Sequence, residues 1–381
     1  MRVLYLSPFS QQVSGPDESL LTLLQALLPL GVEAHLILPK TGPQVERYTD
    51  MGVSVHYAPL SILKRRMGID RIVLYGPSLA CGAAAVARIA RREKVDLIHT
   101  NMEVVADGAI ASLLLGLPHI LHYRGNTLDR PKPVFDVLTR FWAATSANIC
   151  CISDATADIF RKRGLGRKVH VLYNPVNVAA FAEAERSDAV RRELGAGPDD
   201  FLIGNIGRIH PRKDIATFLR AGAILARDLA NVRLVVVGLA EAPEELAYES
   251  EMRRLAHELC IYDRTCWAGA RREMPAVQKA LDLLVLSSRH EGFGRVAAEA
   301  IAAGTPLVAS REGALPELAR GEVARLADPG SPDDFARQIR LSLRDLLRPP
   351  RAPARATPPA FDSTIIAERI IALYRDTLAA L

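Results

Sequence analysis

Short apolar runs closed by Gly, Pro, Asn or Ser alternate along this chain with longer stretches whose apolar positions recur at helical spacing. Near-continuous apolar runs are what strands covered on both faces require, so the alternation predicts an α/β protein built on parallel sheets. In the first half the predicted strands are RVLYLSP, EAHLILP, VSVHYAP, DLIHTN, HILHYRG, NICCIS and VHVLYNP. In the second they are FLIGNIG, RLVVVG, TCWAGA, LLVLSS and PLVAS.

Between the two sets lies the charged stretch VNVAAFAEAERSDAVRRELGAGPDD, with Gly195, Gly197 and Pro198 just before the next strand. A domain boundary belongs there. The expected division is a first domain over 1–178, a linker over 179–199 and a second domain over 200–347. The Pro/Arg-rich RPPRAPARATPPA over 348–360 reads as an extended linker, and helical periodicity returns over 361–381.

Composition excludes several classes. Of 381 residues, 49% are hydrophobic and 24% charged, a globular balance in which disorder is not expected. The net charge of +5 permits attraction to phosphates or to an anionic membrane surface and does not choose between them. Aromatics are 6% of the chain and no basic stretch is interleaved with them, so a nucleic-acid partner is not expected. The five cysteines form no C-x-x-C pair, which argues against a disulfide framework or a cysteine zinc site and for reducing cytoplasm. The apolar start is too short for a signal peptide, and the run from Leu20 to Leu38 is broken by Pro29, Gly31 and Glu33, so no membrane span is expected.

The most informative stretch is HEGFGRVAAEA, where Glu291 and Glu299 flank a Gly-Phe-Gly turn between a predicted strand and a predicted helix. Ligands of open α/β sheets bind beyond the carboxyl ends of strands. Gly292 and Gly294 let the backbone turn tightly and approach a ligand, while the N–H groups of Phe293 and Gly294 at a helix start favour an anion such as diphosphate. A carboxylate at Glu299 suits the vicinal hydroxyls of a ribose. Taken alone, both glutamates are equally well read as solvated surface groups.

The whole stretch resembles the E-x7-E signature of retaining GT-B glycosyltransferases of family 4, group 1. GNIGRIHPRKD is similar to the family's G-R-x4-K segment, with Arg208 and Lys213 in place; two cations after a glycine at a strand end can neutralise a departing diphosphate. EGALPELA resembles the family's loop around the nucleotide sugar, which implies backbone contacts at Ala314 and Leu315. TCWAGARRE resembles the segment beside the base, which implies that the backbone of Gly269, Ala270 and Arg271 reads its edge. In the first half, SPFSQQVSGPDESLL resembles the family's glycine loop, with Gly15 in the glycine position and Ser14 where a second glycine is usual. HILHYRGNT resembles the segment that places a histidine, here His122, near the donor sugar; CISDATADIF and the close Asn174, Pro175, Asn177 match the end of the family's first domain. His119 and His122 face opposite sides of a strand and do not suit one metal.

The resemblance implies two Rossmann-like domains facing across a cleft, with the C-terminal helix returning to the first. It implies transfer of a hexosyl group from a nucleotide sugar, a UDP-sugar by preference or a GDP-sugar, to a hydroxyl of a glycan or glycolipid acceptor with retention. Arg208 and Lys213 would stabilise the diphosphate, Glu291 would hold sugar hydroxyls, His122 would orient the sugar and Glu299 would hold the ribose. No D-x-D cluster is present, so no metal or other cofactor is expected. A nucleotide-sugar epimerase and a catalytically silent scaffold subunit remain as alternatives. The basic stretch with Lys64, Arg65, Arg66 and Arg71 reads either as a peripheral contact with an anionic membrane, carrying a lipid-linked acceptor, or as a solvated face beside the acceptor cleft.

Overall fold

The computed structural model describes residues 1–8, 15–63, 69–125, 132–319, 324–347 and 359–380, and for 69–73 the backbone alone. The chain forms two compact units, one of Met1–Val176 with Ala360–Leu381 and one of Asn177–Pro359.

The first unit carries β1 (Arg2–Leu6), β2 (Glu33–Leu38), β3 (Ser54–Tyr57), β4 (Leu97–Thr100), β5 (His119–Tyr123), β6 (Asn148–Cys151) and β7 (Val169–Val171). Its helices are α1 (Gly15–Leu27), α2 (Val45–Thr49), α3 (Ile69–Arg92), α4 (Asp107–Leu115), α5 (Lys132–Thr145) and α6 (Asp154–Arg161). All strands are parallel, in the order β3-β2-β1-β4-β5-β6-β7. Burial on both faces explains the unbroken apolar runs. Val3 and Tyr5 point into one core with Leu20 and Leu24 of α1, whereas Leu4 and Leu6 point into another with Val86 and Ala90 of α3.

The second unit opens with α7 (Val178–Ala182) and α8 (Asp188–Glu193). There follow β8 (Phe201–Ile206), α9 (Ile215–Ala226), β9 (Val232–Val237), α10 (Pro243–Glu258), β10 (Thr265–Gly269), α11 (Met274–Ala280), β11 (Leu283–Leu286), α12 (Arg295–Ala303), β12 (Leu307–Ser310), α13 (Leu315–Leu318), β13 (Ala324–Ala327) and α14 (Pro332–Leu346). Its six parallel strands run β10-β9-β8-β11-β12-β13. The chain builds outward from β8 in one direction and then restarts at β11 on its other side. The gap between the ends of β8 and β11 is therefore the switch point at which doubly wound sheets bind ligands.

The stretch 179–199, expected as a linker, is instead structured and belongs to the second unit. Ser187 caps α8 by accepting from Val190 N, and Phe181 of α7 is buried. Arg191, one of the charges that made this stretch look solvated, is buried and donates to Ala280 O and Asp282 Oδ2 at 2.7 and 2.9 Å. Its long side chain ties the helix to the sheet. Most of the expected linker over 348–360 lies outside the described residues.

After the second unit the chain re-enters the first as α15 (Ser363–Ala379). Two backbone bonds guide it back, from Val176 N to Phe361 O and from Ser363 N to Val176 O, both 2.9 Å. Ile366, Ile370 and Tyr374 then pack into the core that Leu20 and Leu24 of α1 share. Each buried side chain of this kind stabilises the docked helix by about 1.5–3 kcal/mol. No described helix is long and apolar enough to cross a membrane.

Candidate functional site

The loops after β8 and β11, adjacent strands in the second unit, carry six of the expected residues, Arg208 and Lys213 on the first and Glu291, Gly292, Phe293 and Gly294 on the second. Beyond β8 the chain passes Gly207 and Arg208 and makes a single tight turn, Pro211–Lys213. Asp214, at φ 47°, ends that turn and caps α9 with its side chain. Its carboxylate also accepts from Arg289 Nε at 2.9 Å, and Ser287 Oγ donates to the carbonyls of Lys213 and Asp214. The loop carrying Lys213 is thus fastened to the loop that follows β11.

Lys213 reaches from this turn to Glu291. Its Nζ donates to both carboxylate oxygens, at 2.7 and 3.1 Å, and both side chains are partly buried. Arg208 extends into solvent with its Nε 3.2 Å from Glu245 Oε1. Glu245 is itself buried and accepts from Glu241 N and Ala242 N, closing the start of α10. One carboxylate therefore caps a helix and steadies an exposed cation.

The Gly-Phe-Gly turn is held from below by the loop after β12. Gly294, at φ 86°, is the N-cap of α12, a conformation that glycine adopts without steric cost. Gly313, at φ 57°, passes so close to Glu291 that an added Cβ would lie 2.0 Å from the Glu291 carbonyl oxygen. Ala314 N donates to that same oxygen at 3.0 Å. Phe293 is buried, Gly292 half-buried, and Glu299 on α12 is nearly buried, with Oε1 receiving a bond from Arg295 Nε at 2.8 Å. At the end of β10, Gly269 (φ 64°) gives its carbonyl to Gly238 N; Ala270 is exposed, and Arg271 pairs with Glu193 and Glu273.

In the first unit, Gly15 is the exposed first residue of α1, and its carbonyl accepts from Ser19 Oγ. His122, expected to orient a sugar, has no exposed surface. Its ring stacks on His99, 5.5 Å between centroids, and neither nitrogen has a hydrogen-bond partner among the described residues. Burial, with Arg124 nearby, holds its pKa well below the ordinary 6.5, so the ring is neutral. His119 faces the other way and bonds Thr100 and Ser146. Beside His122, the buried Arg124 is locked by Asn101 O and Asn174, and its backbone N–H bonds the buried Glu103. Lys64, Arg65, Arg66 and the side chain of Arg71 lie outside the described residues.

Two family models match the chain, "Glycosyl transferases group 1" over 186–355 and "Glycosyltransferase Family 4" over 13–180. The D-inositol 3-phosphate glycosyltransferase of Corynebacterium glutamicum is 30% identical over 299 residues, which is 70% of this chain and 69% of that one. The chain belongs to the group 1, family 4 glycosyltransferases. This glycosyltransferase is also 29% identical over 359 residues to the 2-deoxystreptamine glucosyltransferase of Streptomyces kanamyceticus, covering 86% of its own length and 89% of that relative. Its fold matches that of an Anabaena protein solved with UDP and glucose, with a TM-score of 0.79, 22% identity and full coverage of both chains. The GT-B class, with two Rossmann-like domains of seven and six parallel strands, is the fold observed.

Several groups that support the candidate site were not evident from sequence. Glu245, Asp214, Arg289 and Arg295 act by holding Arg208, the Lys213 loop and Glu299. Of these, only Arg295 stands at a legible spacing, four residues before Glu299 on the same helix face. Gly313 carried a signal in being the lone glycine after a strand, but its contact with Glu291 needed the fold.

Proposed function

We propose that this glycosyltransferase moves a hexosyl group from a nucleotide sugar, a UDP-sugar by preference, to a hydroxyl of a glycan or glycolipid acceptor, with retained anomeric configuration and without a metal. The observation that carries the reading is the convergence of Lys213, Glu291 and the α12 N-terminus at the switch point between β8 and β11. A diphosphate placed there meets a cation on one side and the N–H end of a helix on the other.

Charge builds on the diphosphate as the sugar–phosphate bond breaks, and a fixed cation stabilises that charge more than it stabilises the ground state. Lys213 fills this role, and Arg208, steadied by Glu245, supplies a second positive charge. Glu291 would release part of Lys213 to the phosphate and accept from sugar hydroxyls, while Glu299, oriented by Arg295, accepts from the ribose. The backbone at Gly269, Ala270 and Arg271 would meet the base, and Gly15 would lie on the sugar side. His122 is given no contact with the sugar.

Both oxygens of Glu291 face Lys213, an arrangement that suits holding hydroxyls better than attacking an anomeric carbon. Departure of the diphosphate and arrival of the acceptor on one face of the sugar fit this arrangement. The named relatives act on acceptors as different as 2-deoxystreptamine and inositol 3-phosphate, so the acceptor class proposed here rests on the family resemblance.

The test is calorimetric binding of UDP-, GDP- and ADP-sugars in chelator, with Arg208→Ala as control, followed by NMR of the product's anomeric proton. Selective binding of UDP-sugars that Arg208→Ala weakens, with an unchanged anomeric configuration, is expected. Binding that requires a divalent ion, or an inverted product, overturns the metal-free or the retaining part respectively.

A further inference from the structure

In the first unit, on the face of the sheet that α3 covers, two histidines and a glutamate converge. His35 is the third residue of β2 and His56 the third of β3, and Ile37 pairs in register with His56, so all three share the face that α3 covers. Glu93 directly follows α3. One ligand-type atom from each of His35, His56 and Glu93 lies within 4.8 Å of the other two.

The histidine geometry is the decisive part. His35 Nδ1 is 3.2 Å from His56 Nε2. Two nitrogens bound to one tetrahedral zinc, each about 2.0–2.1 Å from the metal, stand about 3.3 Å apart. His35 is buried, and its other nitrogen, Nε2, faces Glu33 Oε1 at 3.4 Å. At that distance the carboxylate is a close neighbour of Nε2 and not a hydrogen-bond partner, while Nδ1 is hydrogen-bonded to His56 Nε2, so a cation entering between the two rings would replace the proton they share. Glu33 is held in turn by Arg2, 3.0 Å away.

We propose that His35, His56 and Glu93 form a site for one divalent d-block cation of the zinc class, which pins β2 and the edge strand β3 to the end of α3. The site is structural and separate from sugar transfer. Arg92 is the local competitor: its Nη2 lies 3.1 Å from His56 Nδ1 and its Nε 2.6 Å from Glu93 Oε1. Its side chain is 65% exposed, so it can turn into solvent while Glu93 closes on the cation.

The test uses the full chain stripped with chelator and titrated with zinc chloride, read by calorimetry and by thermal unfolding, with cobalt(II) as a spectroscopic probe. One equivalent of zinc, a raised Tm and a visible tetrahedral cobalt band are expected. His56→Ala and Glu93→Gln, made separately, are each expected to weaken zinc binding about tenfold or more and to remove the Tm increment. Arg92→Ala is expected to bind zinc as tightly as the wild type or more so. Should His56→Ala fail to fold, Glu93→Gln carries the comparison. A wild-type chain that takes up no zinc overturns the proposal, as does zinc affinity unchanged in Glu93→Gln.

Discussion

Lys213 Nζ donates to both oxygens of Glu291, joining residues 78 positions apart in the sequence. The contact locks together the loops that follow the two central strands of the second unit. It also sets a cation and a carboxylate side by side before any donor arrives.

Removing the cation should damage turnover far more than folding. For Lys213→Ala we expect turnover to drop about 10²–10³-fold, the usual cost of one lost donor to developing negative charge. The lost ion pair should cost the fold only on the order of 1 kcal/mol. Steady-state kinetics beside a urea melt separates the two effects, and unchanged turnover would remove Lys213 from the diphosphate.

Glu299→Ala should act on donor affinity. A hydrogen bond to a charged group contributes about 1.5–3 kcal/mol, so UDP binding should weaken by roughly 10–100-fold. Calorimetry with UDP alone reads this without an acceptor. Wild-type affinity in the variant would place the ribose elsewhere.

Glu245 offers a test of indirect support. Glu245→Ala removes the cap of α10 and the partner of Arg208 together, and should cost about 0.5–2 kcal/mol of stability along with part of the turnover. Glu245→Gln keeps an acceptor for the cap but loses the charge. Recovery of stability without full recovery of kcat is the expected split; full recovery of both would show that Arg208 does not need the charge.

Gly313→Ala tests the clamp beneath Glu291. A side chain there must take φ near 57° and meet the Glu291 carbonyl. Strain of about 1–3 kcal/mol is expected, together with lost turnover because the carboxylate is displaced. A variant as stable and active as the wild type would contradict the observed contact.

Acid should unfold the first unit through its buried histidines. Burial holds His99 and His119 at pKa about 3, against an ordinary 6.5, and lowers His122 as well. Below about 6.5 the unfolded chain gains protons that the folded rings refuse, so stability falls as pH drops, by about 1.4 kcal/mol per unit for each ring. Asp107 opposes this, because burial raises its carboxyl to about 6 and protonation there favours the folded state, but it is one group against three. Urea midpoints should decline steadily from about pH 6.5 downward, and a flat profile would contradict the neutral burial of these rings.

What could be read from the sequence follows from what each feature depends on. Strands buried on both faces, such as β1, β4 and β5, leave near-continuous apolar runs, and among the described residues twelve of the thirteen strands coincide with the predicted ones, the half-exposed Ser54–Tyr57 and Val169–Val171 included. The exception, Ala324–Ala327, is a half-buried edge strand interrupted by Arg325. Glu291 and Glu299 were legible because one turn and one helix fix their spacing. Glu245 was not, since PEELAYE reads as an ordinary helix start and its partner Arg208 comes from another strand. His35 and His56 lie in separate predicted strands, EAHLILP and VSVHYAP; only the pairing of β2 with β3 brings them together. Arg191 misled in the opposite sense, as a charge that is buried.

The return of α15 to the first unit sets an order of assembly. The first unit is split in sequence, with residues 177–359 inserted between its body and the helix that completes its core. During translation, Ile366, Ile370 and Tyr374 emerge from the ribosome only after the whole second unit has been made. The face of α1 that they cover must wait, apolar and open, while the inserted unit folds. A chaperone that shields nascent chains would find its binding surface there, and a stalled or truncated message would leave the first unit unfinished while the second stands complete.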